Sequence, residues 1–135
     1  MARFEHRDIL VDTSREGLFS FLSDFRNFEK LMPDQVKNWR ADENTCSFRV
    51  EGLADLSMRI DGKYPHSNIR IVSDGKNPAN YQLEYFLKKA GEQSCRVDIV
   101  FEVELNPFMK AVASRPLQNF VDLLAEKLRQ RYAKA

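Results

Sequence analysis

The sequence predicts an α+β fold in which a curved antiparallel sheet of about seven strands wraps around one long C-terminal helix. Between Val36 and Leu105 apolar residues alternate with polar ones, as in antiparallel strands with one solvated face. After Pro116 the apolar residues instead recur with the spacing of one helix face, at Leu117, Phe120, Val121, Leu124 and Leu128. One apolar helix face needs a large apolar partner, which the concave side of such a sheet supplies.

The chain has the length and composition of one globular domain spanning residues 1–135. Apolar residues make up 43% of the sequence and charged residues 30%, which is typical of folded proteins. The net charge is only +1, so the chain has no general field that would attract nucleic acid. No stretch has the roughly 18 apolar residues of a spanning helix, and the N-terminus has no signal-peptide pattern. We expect a cytoplasmic protein with no integral membrane association and no nucleic-acid partner.

The cysteine and histidine residues form no metal-binding or catalytic motif. Cys46 and Cys95 each occupy an apolar position of an alternating segment, so we expect buried free thiols. His6 and His66 are distant from both cysteines, and neither has a Ser or Cys at the spacing of a nucleophilic motif. The sequence therefore predicts no metal, no cofactor and no catalytic residue.

The N-terminal part is predicted to contain one strand and two short helices. The first strand is expected over 4–12, although the run Ile9-Leu10-Val11 leaves open which face is buried. Thr13 and Glu16 have the spacing of a capping box that starts the first helix. A second short helix is expected over 25–31, before Pro33 ends it.

The middle of the chain is predicted to be a meander of consecutive antiparallel strands. Its turns are expected at 42–44, 65–68, 74–78 and 90–92, where polar residues, Gly and Pro cluster. The alternating apolar positions between these turns are Cys46, Phe48, Val50, Leu56, Met58, Ile60, Ile69, Ile71, Leu83, Tyr85, Leu87, Cys95, Val97, Ile99, Phe101, Val103 and Leu105.

The C-terminal helical region is predicted to begin with Asn106 as the cap and Pro107 at the first helical position. Because Pro116 has no amide hydrogen, the Val112 carbonyl should lack its partner, and we expect a kink or a restart of the helix near 114–116. Phe120 lies centrally on the apolar face and should contribute more to stability than Leu128, which is nearer the end.

This order of elements resembles the helix-grip fold of the SRPBCC superfamily. Three stretches resemble the start of that fold: Val11-Asp12-Thr13-Ser14-Arg15-Glu16-Gly17-Leu18-Phe19, Leu22-Ser23-Asp24 and Met32-Pro33. Leu105-Asn106-Pro107-Phe108 and Arg115-Pro116-Leu117 resemble the strand-to-helix joint of its small bacterial members. The superfamily includes START domains, birch-pollen-allergen-like proteins and polyketide cyclases. The resemblance implies a cavity for a hydrophobic ligand between the sheet and the terminal helix, and it carries over no catalytic residue.

The candidate ligand-binding residues are the apolar side chains expected to face inward from the strands and the helical region. The same residues would also fit a solid core, because protein interiors normally fill to crystal-like density. The grip of one helix on a curved sheet and the family resemblance favour a cavity. The candidates are Phe48, Val50, Met58, Ile60, Leu83, Tyr85, Val97, Ile99, Phe101, Phe108, Met109, Val112, Leu117, Phe120 and Val121.

The leading hypothesis is a non-catalytic carrier or sensor, monomeric or weakly dimeric, that binds a small hydrophobic or aromatic molecule such as a lipid. The first alternative is an enzyme of the cyclase or dehydratase type acting on a polyketide-like substrate, with Tyr81, Tyr85 and Trp39 as candidate polar groups. The second is a protein-interaction module, resembling superfamily branches that assist a chaperone or bind ubiquinone-pathway or ribosomal components. An exposed apolar patch, with Trp39 as the candidate residue, would mark that alternative.

Overall fold

The chain folds as a seven-stranded antiparallel sheet with a long C-terminal helix on its concave side, in a computed structural model that describes residues 2–51, 54–75, 77 and 79–132. The strand order is β1-β7-β6-β5-β4-β3-β2. This architecture confirms the predicted α+β helix-grip fold. Its elements are β1 (Ala2–Val11), α1 (Arg15–Leu22), α2 (Phe25–Phe28) with the 3₁₀ turn Glu29–Leu31, β2 (Val36–Ala41), β3 (Thr45–Val50), β4 (Ala54–Tyr64), β5 (Asn68–Ser73), β6 (Tyr81–Gly91), β7 (Ser94–Val103) and α3 (Pro107–Arg131).

A β-bulge in β1 decides which face of this strand is buried. The register with β7 shifts between His6 and Ile9, and Asp8 within the shift has a φ of 63°. The Asp8 amide donates to a carboxylate oxygen of Asp98 at 2.8 Å, which holds the bulge in place. After the bulge Ile9 enters the core while Leu10 is 46% exposed. The bulge therefore resolves the ambiguity that the apolar run left open.

The two short helices follow β1 as predicted, but the first begins one residue later than the capping-box pattern indicated. Ser14 is the N-cap, and its hydroxyl accepts from the Gly17 amide at 3.1 Å. The third helical position is thus Gly17, and Glu16 lies in the first turn, where a negative charge favours the helix dipole. In α2 and the 3₁₀ turn, Phe25 and Phe28 are fully buried beneath the concave face.

Strands β3 and β5 alternate in burial as their sequence pattern predicted, whereas in β6 and β7 the outward residues Glu84, Asp98 and Val100 are buried as well. Directly paired residues such as Leu83 and Phe101 share the concave face and both belong to the hydrophobic core. In the predicted turn at 74–78, Gly75 has a φ of +67°, a conformation that glycine adopts without strain. Lys76 and Pro78 of that turn lie outside the described residues.

Helix α3 runs unbroken for 25 residues through Pro116, so of the predicted kink or restart near 114–116 the restart does not occur. The Asn106 side chain accepts from the Met109 amide at 2.7 Å, which confirms the predicted cap, and Pro107 follows at the start of the helix. Pro116, which has no amide hydrogen to donate to the Val112 carbonyl, lies on the exposed side of the helix. Val112 is exposed as well. On that side of the helix water can replace the missing backbone bond, so the helix continues through the proline.

The C-terminal half of α3 anchors the helix to the rest of the fold. The helix packs on β1, β7 and the 3₁₀ turn. Its fully buried side chains, Val121, Leu124, Ala125 and Leu128, all follow Phe120 in sequence, and Phe120 itself is only partly buried. The expected order of Phe120 and Leu128 is therefore reversed in burial. Among the described residues, none of the helices combines the length and apolarity that crossing a bilayer requires.

Candidate ligand-binding cleft

The concave face of the sheet is sealed on one side and open on the other. The inward side chains of β1, β7, β6 and β5 are buried, since α3 and the short helices cover them. On β3 and β4, by contrast, Val50, Leu56 and Ile60 pack against the core and still remain partly exposed. Two residues of α3, Leu117 and Phe120, share this intermediate state. We call these five partly exposed residues together the cleft, with one wall on β3 and β4 and the other wall on α3.

The position of Phe120 follows from the contacts on the opposite side of α3. The Asp122 carboxylate lies 3.0 Å from His6 Nδ1, and the Gln118 side-chain amide donates to the Glu5 carbonyl at 3.2 Å, so this side faces the sheet edge at β1. Phe120 is two residues from both Gln118 and Asp122, which is about 200° around a helix of 3.6 residues per turn. Its ring therefore points away from β1.

An ion pair shows what lies on the Phe120 side of the helix. Lys127 follows Phe120 by about two turns and shares its side. The Lys127 Nζ atom lies 3.7 Å from a carboxylate oxygen of Asp34, between the 3₁₀ turn and β2. The Phe120 side of α3 thus faces the segment between the 3₁₀ turn and β2.

The structure divides the predicted inward set into three groups. One group is sealed in the core and consists of Phe48, Met58, Leu83, Tyr85, Val97, Ile99, Phe101 and Val121. A second group borders the cleft and consists of Val50, Ile60, Leu117 and Phe120. The third group, Phe108, Met109 and Val112, is exposed. Leu56 also belongs to the cleft, although it was not among the predicted ligand-binding residues. Its alternation with Met58 and Ile60 in the sequence could have identified it as an inward residue.

The third group lies on the first turns of α3. Val112 precedes the buried Val121 by about two and a half turns, so the two side chains point in opposite directions. Phe108 lies about one turn before Val112 and shares its side. Met109 precedes Phe120 by about three turns and therefore lies on the cleft side of the helix. That these three residues contact a ligand stays a prediction.

A buried tyrosine on the concave face has an unpaired hydroxyl group. Tyr85 is fully buried, and its hydroxyl has no hydrogen-bond partner among the described residues. Its cross-strand neighbours are Ile69 and Ile99, and its ring meets that of Phe28 edge-to-face at 5.7 Å. Burial in these apolar surroundings raises the pKa of Tyr85, so the phenol remains protonated at neutral pH.

The other candidate polar groups of the concave face are paired or neutral. The Tyr81 hydroxyl donates to the Ser57 carbonyl at 2.9 Å, and burial raises the pKa of Tyr81. Trp39 is partly exposed and packs against the core, where its ring stacks on Phe48 at 5.2 Å and its indole donates to the Phe25 carbonyl at 3.1 Å. Within the described residues, no three His, Cys, Asp or Glu side chains come together as metal ligands.

A separate groove of about 450 Å³ lies along the edge of β2 and β3, and it is shallow and half polar. Hydroxyl and charged side chains such as Arg40, Ser47 and Asp74 line it. Because apolar ligands bind where they are enclosed by apolar surface, the cleft is the better candidate site.

Comparison with solved structures finds this fold in proteins of low sequence identity. An uncharacterised protein from Bacillus thuringiensis gives a TM-score of 0.78 at 9% identity, over 98% of this chain and 100% of that chain. A START superfamily protein from Mycobacterium smegmatis gives 0.71 at 18% identity, over 96% of both chains. Norcoclaurine synthase from Thalictrum flavum, in complex with dopamine and hydroxybenzaldehyde, gives 0.67 at 12% identity, over 98% and 89%. Searches against protein-family models and curated proteins find no match.

Proposed function

We propose, from the helix-grip fold that this chain shares with START-type proteins, that it binds a small neutral hydrophobic or aromatic molecule in the cleft, as a carrier or sensor. The observation that carries the proposal is the partial exposure of five apolar side chains that pack against the core, three on β3 and β4 and two on α3. Exposed apolar surface is unfavourable in water, at about 25 cal/mol per Å². A ligand that covers both walls at once recovers this free energy over a large apolar area. A single exposed side chain on a convex surface would give a ligand much less apolar contact.

The chemistry of the cleft favours an uncharged ligand. Its five residues carry no polar side-chain atom, so a carboxylate or ammonium group placed between them would lose its hydration without gaining a partner. The Tyr85 hydroxyl, which is sealed in the core in the ligand-free structure, could pair with a hydroxyl or carbonyl group only of a ligand that opens the core around it. We therefore infer an apolar or aromatic body with at most a few neutral polar groups.

Two further considerations support binding over the alternative functions. A cyclase or dehydratase needs groups that exchange protons near neutral pH, whereas burial keeps the phenols of Tyr81 and Tyr85 protonated. A protein-interaction module built on Trp39 would need most of that ring free at the surface, whereas the ring is partly buried and stacks on Phe48. The ligand class also agrees with the two small aromatic molecules in the norcoclaurine synthase complex, whose fold is similar.

Titration with the neutral dye Nile red, followed by fluorescence, tests the proposal. The wild-type protein should give saturable binding, because the dye is apolar, aromatic and uncharged. The variant Leu117→Trp should lose this binding, since the larger side chain fills the cleft from the helix side. Mass spectrometry of the natively purified protein tests in parallel for a retained small molecule.

The matched control is Leu10→Trp, which places the same ring on the exposed face of β1. This variant should bind the dye as the wild type does. Binding that does not saturate, or that Leu117→Trp leaves unchanged, would show that the cleft is not a ligand site.

A further inference from the structure

The first turns of α3 carry a cluster of exposed apolar side chains. Phe108 is 74% exposed, Met109 43% and Val112 60%. The other large hydrophobic residues exposed to this degree among the described ones, Leu10 and Tyr64, are isolated on strands. We call the three residues on α3 the α3 patch. Single exposed hydrophobic residues are ordinary, whereas a contiguous group on one helix end indicates an interaction surface.

Two cations accompany the α3 patch. Lys110 and Arg115 are exposed, and neither forms an ion pair within 4.0 Å in the part of the chain that the structure describes. Arg115 lies about one turn after Val112 and two turns after Phe108, so it extends the same side of the helix. Residues 107–115 contain no acidic side chain. The first turns of α3 therefore combine exposed apolar side chains with uncompensated positive charge.

We propose that the α3 patch docks on the surface of a lipid bilayer that contains anionic lipids. Apolar side chains of an interfacial helix enter the boundary between headgroups and acyl chains, and nearby cations are attracted to anionic headgroups. Phe108, Met109 and Val112 would form the inserted part, while Lys110 and Arg115 remain at the headgroup level.

Two arguments favour a lipid surface over a protein partner. Stable protein interfaces use about 20–30 residues on each side, far more than this patch provides. A second copy of the chain, docked patch to patch, would also bring the Arg115 and Lys110 side chains of both copies together without an acidic partner in residues 107–115. An anionic bilayer meets neither difficulty, because it is continuous and of opposite charge.

The location of the patch connects it to the cleft, and this step rests on the proposed function. Met109 lies on the same side of α3 as Phe120, about three turns earlier, so the patch borders the cleft at the N-terminal end of the helix. A protein docked through the patch would present the cleft to the bilayer. An apolar molecule could then move between membrane and cleft without crossing water.

Flotation of the full chain with vesicles tests the docking. Vesicles of phosphatidylcholine and phosphatidylglycerol in equal parts should retain the wild type, and pure phosphatidylcholine vesicles should retain less. The double variant Phe108→Ser with Val112→Ser should lower the partition coefficient at least about tenfold, since it removes most of the inserted apolar surface. Arg115→Gln should lower it about fivefold on the anionic vesicles and leave it unchanged on the neutral ones.

Leu10→Ser is the matched control, because it removes an exposed apolar residue elsewhere on the surface, and it should float as the wild type does. Docking is contradicted if the wild type fails to float or if the double variant floats equally well. Self-association that light scattering detects in the wild type and that the double variant lacks would also overturn it, in favour of a second copy. Nile red titration without vesicles separates failure of docking from failure of the cleft, since it does not require a membrane.

Discussion

Two tyrosines on β6 have different hydrogen bonding although both are buried. Tyr81 donates its hydroxyl to the Ser57 carbonyl at 2.9 Å, whereas the Tyr85 hydroxyl is unpaired among the described residues. A buried polar group without a partner costs roughly 1–3 kcal/mol. Tyr85→Phe should therefore leave the ligand-free protein equally stable or more stable by up to about 1 kcal/mol, as measured by its urea midpoint.

Tyr81→Phe provides the matched comparison, because it removes an identical hydroxyl that has a partner. It should destabilise the protein by about 1 kcal/mol, because the Ser57 carbonyl loses this donor and keeps only the Asp74 amide at 3.0 Å. If the Tyr85 hydroxyl serves the ligand, Tyr85→Phe should also weaken binding of a hydroxyl- or carbonyl-bearing ligand. Equal destabilisation by both variants would indicate that the Tyr85 hydroxyl does have a hydrogen-bond partner.

The two cysteines should be unreactive in the native state, because their thiols are both inaccessible to reagents and protonated. Burial raises the pKa of Cys46 to about 12 and that of Cys95 to about 11. The thiolate is the reactive form, and at pH 8 a thiol with a pKa near 12 is ionised in about one molecule in ten thousand. Ellman's reagent should therefore label neither cysteine at pH 8 in buffer and both in urea.

The same pKa values set a direction for stability at alkaline pH. The native state keeps the Cys46 thiol protonated, while the unfolded chain ionises near the ordinary value of 9.0. This contribution to stability is complete below pH 9 and is lost as the pH rises towards 12. The urea midpoint should thus fall less steeply above pH 9 in Cys46→Ala than in the wild type, and an equal slope would place the thiol outside the core.

At the level of elements, α3 shows most clearly what the sequence could and could not predict. Its cap and the apolar face of its C-terminal half follow from residue spacing, whereas its unbroken length of 25 residues was not predicted. Residue spacing does not predict the direction in which the side chains of its first turns point. With an interruption predicted near 114–116, Phe108, Met109 and Val112 were expected in a short helical turn of their own and were counted among the inward residues. In the unbroken helix Val112 points about half a turn away from the buried Val121. Val112 and Phe108, which shares its side, are therefore exposed.

The bulge in β1 shows a similar limit for strands. Alternation predicts which residues share a face only while the register is regular, and one inserted residue reverses the pattern. Asp8 and its carboxylate partner Asp98 are 90 residues apart in sequence, so nothing local to β1 indicates that the amide will be held there. The sequence consequently predicted the strand and left its buried face open.

The reversed burial on α3 leads to a test of how the helix is anchored. Leu128 is fully buried, so Leu128→Ala should cost about 2–5 kcal/mol. Phe120→Ala should cost less despite the larger side chain, because part of the ring already faces the cleft, and it should weaken Nile red binding. Urea midpoints of both variants measure the difference. A larger loss in Phe120→Ala would indicate a closed core in place of the cleft.

At the scale of the whole molecule, the fold consists of a sealed half and an open half. The sealed half comprises β5, β6, β7, β1 and the C-terminal half of α3, whose inward side chains are buried. The open half comprises β2–β4 and the first turns of α3, where several apolar side chains remain partly or fully exposed beside the buried Cys46, Phe48 and Met58. Composition and alternation are alike in the two halves. The sequence could not separate them because the difference depends on where α3 lies over the sheet.

This division predicts a gradient of local stability that hydrogen exchange measures. Amides open most rarely where apolar burial is continuous, so those of β6 and β7 should exchange through global unfolding. Amides of β2, an edge strand, and of residues 107–117 should exchange at least about tenfold faster, because few buried contacts resist their opening. Saturating Nile red should slow exchange in β3, β4 and residues 107–117, since a molecule in the cleft packs against both walls, and leave β7 nearly unchanged. Leu117→Trp, which fills the cleft, should reproduce part of this protection without the dye. Uniform protection across all strands, unaffected by the dye, would mean that the two halves close around one continuous core.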